Sequence, residues 1–225
     1  MSDRALVVFV KHPAPGTVKT RLAAAVGPEA AASLYRALAE RVLEATTPRA
    51  GEYERLVFFD PPEALAEMRA WLPGVRLVAQ SAGDLGARLT DATARAFARG
   101  ASRVAAVGTD VPGLARDTVL AALDALDAAD VAIGPTEDGG YYLLALPQPR
   151  PELFAGIAWS TSSVAAETRA RAAAAGLVVH ELPVLRDVDT IESVRLEWPT
   201  LRPLLAARPR LRDSIEEALE TSPPS

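Results

Sequence analysis

The chain has no cysteine, which removes disulfide bridges and thiolate metal sites from consideration and agrees with a reducing, cytoplasmic setting. It has no positive surplus either. With 24 Lys and Arg against 29 Asp and Glu, the net charge is −5, so nucleic acid, which needs a broad basic face, is not an expected partner. Nor does any apolar run approach the ~20 residues that span a bilayer. The first apolar stretch, ALVVFV at 5–10, ends at Lys11 and His12. It is too short for a signal h-region and has no small-residue cleavage site, so it reads as a buried first strand. No repeat and no linker is visible. We therefore expect one domain over residues 1–220 and a frayed tail over 221–225. Nothing in the sequence fixes the oligomeric state.

What is present is an ordinary globular mixture, 49% apolar and 24% charged, with enough chain to bury a substantial core. Short β-branched or aromatic runs at 5–10, 55–60, 75–80, 103–108, 131–134, 141–146 and 177–182 alternate with Ala/Leu/Arg-rich helical stretches. The helices are expected at 28–46, through Trp71, at 85–99, 116–127 and 162–175, and as a pair over 190–219 broken near Pro199 and Pro203. Such alternation predicts an α/β fold with a Rossmann-like, doubly wound, mostly parallel sheet. Ligands of such sheets bind outside the carboxyl ends of the strands, so the loops there carry the most weight.

The loop after the first strand reads KHPAPGTVKTRL, residues 11–22. Pro15 stiffens it and Gly16 permits a tight turn. Lys11, Lys19 and Arg21 then place three cations within eleven residues. Lysine point charges and a planar arginine fork suit a diphosphate; the competing reading is a solvated basic loop. The Walker A spacing is absent. His12 reads as a loop residue, and His180, inside an apolar run, as structural.

Acidic residues recur at the other strand ends. Asp110, in GTDVPGL, is placed to hold Mg2+ or Mn2+ against phosphate oxygens, or else simply fixes a turn. Asp187 and Asp189, in RDVDTIES, stand two apart; they form a candidate metal pair, or Asp189 caps the next helix. In GPTEDGGYYLL, Gly139 and Gly140 allow a ligand close to the backbone, with Asp138 and Tyr141 beside them, although an Asp-Gly hairpin turn also explains the glycines. QSAGDLGARL offers Gly86 and Arg88 to a nucleobase pocket or to a turn. In AWSTSSV, Trp159 is free to face a substrate, while the hydroxyls of Ser160 and Thr161 suit helix capping.

Taken in order, KHPAPGTVKTRL, QSAGDLGARL, GTDVPGL, GPTEDGGYYLLAL, FAGIAWSTSSV and LRDVDT resemble the bacterial DUF2064 family of glycosyltransferase-A-like proteins, over about residues 5–195. The resemblance implies a nucleotide-diphospho-sugar transferase (GT-A) fold. Lys11, Lys19 and Arg21 match its basic loop, and Asp110 its metal position. The Asp-x-Asp motif of many glycosyltransferases on this fold is not met, because position 112 is Pro. DVDT instead resembles a C-terminal motif of nucleotidyltransferases, in which an Asp completes the metal site with the strand-end Asp. A more distant similarity is to guanylyltransferases that activate phospholactate. Those open with a Gly-rich loop, where this chain has only Gly16 in residues 11–22.

The leading expectation is a metal-dependent glycosyltransferase that takes a nucleotide-diphosphate sugar and a small-molecule acceptor. Mg2+ or Mn2+ would sit on Asp110 and Asp189, and Lys19 and Arg21 would stabilise the leaving diphosphate. Asp138 would serve as base, Pro15 and Gly16 would shape the phosphate loop, and Gly139, Gly140, Tyr141 and Trp159 would line the substrate pocket. The alternative is nucleotidyl transfer from an NTP to a small phosphorylated substrate, and a third possibility is a non-catalytic nucleotide binder. The first two differ geometrically. Nucleotidyl transfer needs Asp189 turned toward Asp110, whereas a capping Asp189 bonds the amides of the following helix.

Overall fold

A computed structural model of the chain describes residues 3–222. Its strands are β1 (Arg4–Lys11), β2 (Glu54–Asp60), β3 (Leu77–Ala79), β4 (Arg103–Val107), β5 (Val131–Pro135), β6 (Tyr141–Leu146) and β7 (Val179–Glu181). They form a sheet in the order β3-β2-β1-β4-β6-β5-β7, parallel throughout except that β6 runs antiparallel to β4 and β5. The helices are α1 (Thr20–Val26), α2 (Pro28–Ala45), α3 (Leu65–Trp71), α4 (Leu85–Ala98), α5 (Arg116–Ala125), α6 (Val164–Ala174), α7 (Ile191–Leu204) and α8 (Pro209–Thr221).

The continuous apolar run of β1 is explained by helices on both faces of the sheet. Leu6, Val8 and Val10 share a cluster with Val42 of α2, Met68 of α3 and Leu123 of α5, while Ala5 and Val7 share another with Leu89 of α4 and Ala172 of α6. A third cluster joins Leu22 of α1 and Leu38 of α2 to Val194 and Leu201 of α7 and Ile215 of α8. The chain leaves β1 toward β2 on one side and reaches β4 on the other. The carboxyl ends of β1 and β4 therefore flank the switch point of the sheet, where ligands enter such folds. No helix of the described residues is long and apolar enough to cross a membrane.

Several local expectations need correction. Residues 20–26 are a separate helix, so Arg21 lies in the first turn of α1 rather than in a loop; Gly27, at φ 81°, ends α1 and Pro28 starts α2. The carboxyl-terminal helices do not break at Pro199 or Pro203, both of which lie inside α7. Val194 and Leu201 pin that helix to the third cluster, and the chain turns only at Leu205–Arg208, before Pro209 opens α8. The run at 177–182 supplies only the short β7, at the edge of the sheet, where His180 is exposed rather than built into the core. Ser160 and Thr161 do not cap α6. Thr161 Oγ1 donates to the Ala158 carbonyl at 2.7 Å, and α6 begins at Val164 without a side-chain cap. Of the tail expected beyond 220, Thr221 still belongs to α8 and residues 223–225 lie outside the described residues.

β5 and β6 make the hairpin that the Asp-Gly turn implied. Gly139 in that turn has φ +91°, and a Cβ there would stand 2.1 Å from the Ser162 carbonyl oxygen. The Gly139 carbonyl accepts from the Ala165 amide at 2.9 Å, so the turn is seated on the start of α6. Gly139→Ala therefore meets both a left-handed backbone and a clash with main chain. We expect it to cost on the order of 3 kcal/mol in a urea-denaturation measurement; a loss within experimental error would mean that the turn is not held against α6.

Candidate nucleotide and metal site

At the end of β1 the chain leaves the sheet and returns at Lys19. Lys19 takes φ 50° and ψ 43°, left-handed values that a non-glycine residue adopts only when its surroundings demand it. The conformation turns its side chain inward, leaving the residue 9% exposed. A buried ammonium needs partners. It finds Asp110 Oδ1 in direct contact and Asp189 Oδ1 at 3.8 Å, with the Tyr35 ring centroid 6.0 Å away. Arg21, mostly exposed, reaches the other carboxylate oxygen, Asp189 Oδ2, at 3.1 Å. Two carboxylates from distant parts of the sequence thus share one lysine.

The chain between Leu185 and Asp189 explains how. Leu185 bridges to Thr136 in parallel register, and the Val188 amide donates to the Asp110 carbonyl at 2.9 Å. Along such an extended segment, side chains alternate in direction. Val188 is fully buried, while Asp187 and Asp189 are only partly so. The cap of α7 is Thr190, whose side chain accepts from the Ser193 amide while the Ser193 hydroxyl accepts from the backbone amides of Asp189 and Thr190. The Asp189 carboxylate is therefore left for Lys19 and Arg21. Asp187 feels the same charges: burial first, then the negative charges of Asp138 and Asp110, push its carboxyl above the ordinary range, with Lys19 opposing. Glu137, in the hairpin turn, holds Arg186 through a bidentate pair at 2.7 and 2.8 Å, and Arg186 also reaches Glu197 of α7 at 3.1 Å.

Tyr35 of α2 was not visible as a site residue in the sequence. It is 4% exposed, and its hydroxyl accepts from the Lys11 amide at 2.7 Å and pairs with Thr109 Oγ1 at 3.1 Å. Burial, reinforced by Asp110, raises the phenol so that it stays neutral. One hydroxyl thus ties the start of the basic loop to the end of β4. Tyr35→Phe keeps the ring but leaves the Lys11 amide and Thr109 short of a partner. We expect a stability loss of roughly 1 kcal/mol, with nucleotide affinity falling further than that loss explains; unchanged affinity in a binding titration would make Tyr35 a core residue only.

The remaining candidates fall into neighbouring groups. Arg88 donates to Gln80 Oε1 at 3.0 Å and to the Gly83 carbonyl at 3.1 Å, and pairs with Asp60 at 3.2 Å. Gln80 in turn donates to the Phe58 carbonyl at 2.9 Å, so this network clamps the ends of β2 and β3. Gly86 is buried in α4, where a Cβ would stand 2.5 Å from the Phe154 carbonyl and 3.0 Å from Trp159 Nε1. Trp159 meets Tyr141 edge-on at 6.4 Å. Asp138 Oδ1 accepts from Thr136 Oγ1 at 2.5 Å and from the Gly140 amide at 3.0 Å, and so is committed to its own turn. Lys11, Pro15 and Gly16 are exposed on the basic loop.

The mixed sheet, with acidic and basic side chains meeting at the carboxyl ends of its strands, defines an α/β fold of the nucleotidyltransferase and nucleotide-sugar-transferase type. The chain belongs to the family described as "Uncharacterized protein conserved in bacteria (DUF2064)", which matches residues 42–161. It is similar to phosphoenolpyruvate guanylyltransferase of Chloroflexus aggregans, 31% identical over 193 residues that cover 82% of this chain and 93% of the relative. Its structure superposes, with a TM-score of 0.87, on a candidate nucleotide-diphospho-sugar transferase from Desulfovibrio desulfuricans G20, 34% identical and covering 97% of this chain and 99% of the other. A wider likeness, of fold alone, is to CMP:2-keto-3-deoxy-manno-octonic acid synthetase in complex with CTP, with a TM-score of 0.54 and 17% identity over 92% of this chain and 99% of that one.

Proposed function

We propose that the protein is a nucleotidyltransferase that joins the α-phosphate of a nucleoside triphosphate to the phosphate of a small phosphorylated acid and releases pyrophosphate. The observation that carries this reading is the convergence of Asp110 and Asp189 on Lys19. It is the arrangement that nucleotidyl transfer requires and that a merely capping Asp189 would lack. The similarity to a phosphoenolpyruvate guanylyltransferase supports GTP as the nucleotide and a phosphoenolpyruvate-like acid as the acceptor.

In this reading a phosphate oxygen of the acceptor attacks the α-phosphorus as the bond from that phosphorus to the bridging oxygen breaks; the electron pair leaves with pyrophosphate. Lys11, Lys19 and Arg21 hold the β- and γ-phosphates and stabilise the charge that builds on them. The acceptor phosphate is already ionised at neutral pH, so no general base is required, in keeping with an Asp138 committed to its turn. We assign Gly86 and Arg88 to the base side of the site, and Gly139, Gly140, Tyr141 and Trp159 to the acceptor side, in a proposed single domain.

The donor set suits Mg2+ or Mn2+. Asp110 and Asp189 are hard oxygen ligands already drawn toward one cation. Among the described residues no larger group of metal-ligating side chains surrounds them, so phosphate and water oxygens would complete the shell, the mode in which Mg2+ is commonly bound. Bound there, the cation would neutralise phosphate charge and orient the α-phosphate.

A thermal-shift panel tests the reading. GTP with Mn2+ at about a hundred times its Kd should stabilise by ~2.7 kcal/mol, a rise of several degrees in Tm. Guanosine should give almost none. Equal shifts for the two would remove the phosphates from the recognition. The second reading, glycosyl transfer from a nucleotide-diphosphate sugar, is favoured by the description of the Desulfovibrio relative; it would need a base such as Asp138.

A further inference from the structure

We infer that Lys19 is a placeholder for the metal: its ammonium holds the cation position between Asp110 and Asp189, and it leaves for the phosphates when a divalent cation arrives with the nucleotide. The inference rests on the nucleotidyltransferase reading above and assigns the form in which the site takes its ligand, a metal–nucleoside triphosphate complex rather than either part alone.

The geometry sets the two cations in competition. The Lys19 Nζ touches Asp110 Oδ1 and lies 3.8 Å from Asp189 Oδ1. A divalent cation taken up by Asp110 and Asp189 would need their oxygens at roughly 2.0–2.1 Å, and the ammonium already in contact with Asp110 opposes it by like-charge repulsion at close range. The lysine is also not resting there by default. Its side chain is 5% exposed, against 72% for Arg21, which pairs with Asp189 alone, and its backbone is held at a left-handed φ that aims it inward. A buried ammonium cannot simply move to solvent without losing its partners. It needs another anion, and the triphosphate supplies one. A bare metal ion must therefore displace Lys19 without compensation, whereas a metal–nucleotide complex offers the displaced ammonium new oxygens. Lys19 precedes α1, and its flexible four-carbon stem can carry the ammonium from one anion to another.

Two titrations on the purified full chain test this. The first measures Mn2+ binding without nucleotide, by water-proton relaxation, in the parent and in the Lys19→Met, Arg21→Gln and Asp110→Asn variants. The second measures GTP binding at saturating Mn2+ in the same set, with circular dichroism to confirm folding. Lys19→Met should bind bare Mn2+ about tenfold or more tightly than the parent, yet bind GTP with Mn2+ more weakly. Arg21→Gln also removes one positive charge, beside Asp189 only, and should gain less than about threefold, being solvent-screened. Equal gains for Lys19→Met and Arg21→Gln, or no gain for Lys19→Met, would overturn the placeholder role; if Asp110→Asn still abolishes Mn2+-dependent GTP binding, the nucleotidyltransferase reading survives that failure. GTP binding that ignores both Mn2+ and Asp110 would overturn the reading and the inference together.

Discussion

Asp110→Asn and Asp189→Asn are each expected to lower the proposed nucleotidyl transfer by about 10²–10³-fold, the scale for losing one preorganised electrostatic contact in a transition state. The equality is the informative part. Asp110 follows β4 and Asp189 precedes α7, yet both carboxylates face the same lysine. A cation lacking either would lose a charge and an orienting ligand. Neither substitution should unfold the protein. Asp110 is 45% exposed and Asp189 35% by side chain, so solvent screens much of what the pairs contribute to stability, and the cap of α7 rests on Thr190 and Ser193 rather than on Asp189. Initial rates of pyrophosphate release decide the matter. A hundredfold loss for Asp110→Asn beside a mild effect of Asp189→Asn would put Asp110 alone on the metal, and no pyrophosphate from GTP even in the parent would favour glycosyl transfer.

Removing Lys19 or Arg21 should give the second-largest effect, and an ordered one. Lys19→Ala deletes a buried ammonium and should weaken GTP binding by roughly 1.5–3 kcal/mol, the range for a charge-assisted contact. Arg21→Ala should cost less, since its guanidinium is mostly in solvent and pairs with only one carboxylate. In both variants guanosine affinity should stay near that of the parent, because phosphates are the partners. Calorimetric titration with guanosine, GDP and GTP reads this directly. Equal losses for guanosine and GTP would point to a disturbed fold instead of a missing phosphate contact.

The architecture was legible where periodicity is strong. Runs such as ALVVFV and helices such as 28–45 declare their burial in a few residues, and the alternation between them implies the layers. α1 was missed because RLAAAV is short and follows a loop rich in turn residues; the Gly27-Pro28 break that delimits it marks the start of α2 just as well. The breaks expected at Pro199 and Pro203 failed for a tertiary reason, since buried Val194 and Leu201 hold α7 together across both prolines. In the site, the charged residues of the first loop and of DVDT were readable as types. Their convergence was not, because it depends on the Val188 amide reaching the Asp110 carbonyl, a contact between distant parts of the chain. Tyr35 was hidden for a similar reason. On a helix wheel it is one more apolar position, and only the fold shows its hydroxyl joining Lys11 to Thr109.

The most direct measurement is product analysis after incubating the protein with GTP, Mg2+ and phosphoenolpyruvate, beside a parallel reaction with a GDP-sugar. Nucleotidyl transfer predicts one pyrophosphate released per acceptor consumed, a product carrying a new phosphate–phosphate linkage, and turnover lowered about 10²–10³-fold after Asp110→Asn. Release of GDP from the GDP-sugar, with GTP left intact, would contradict the account.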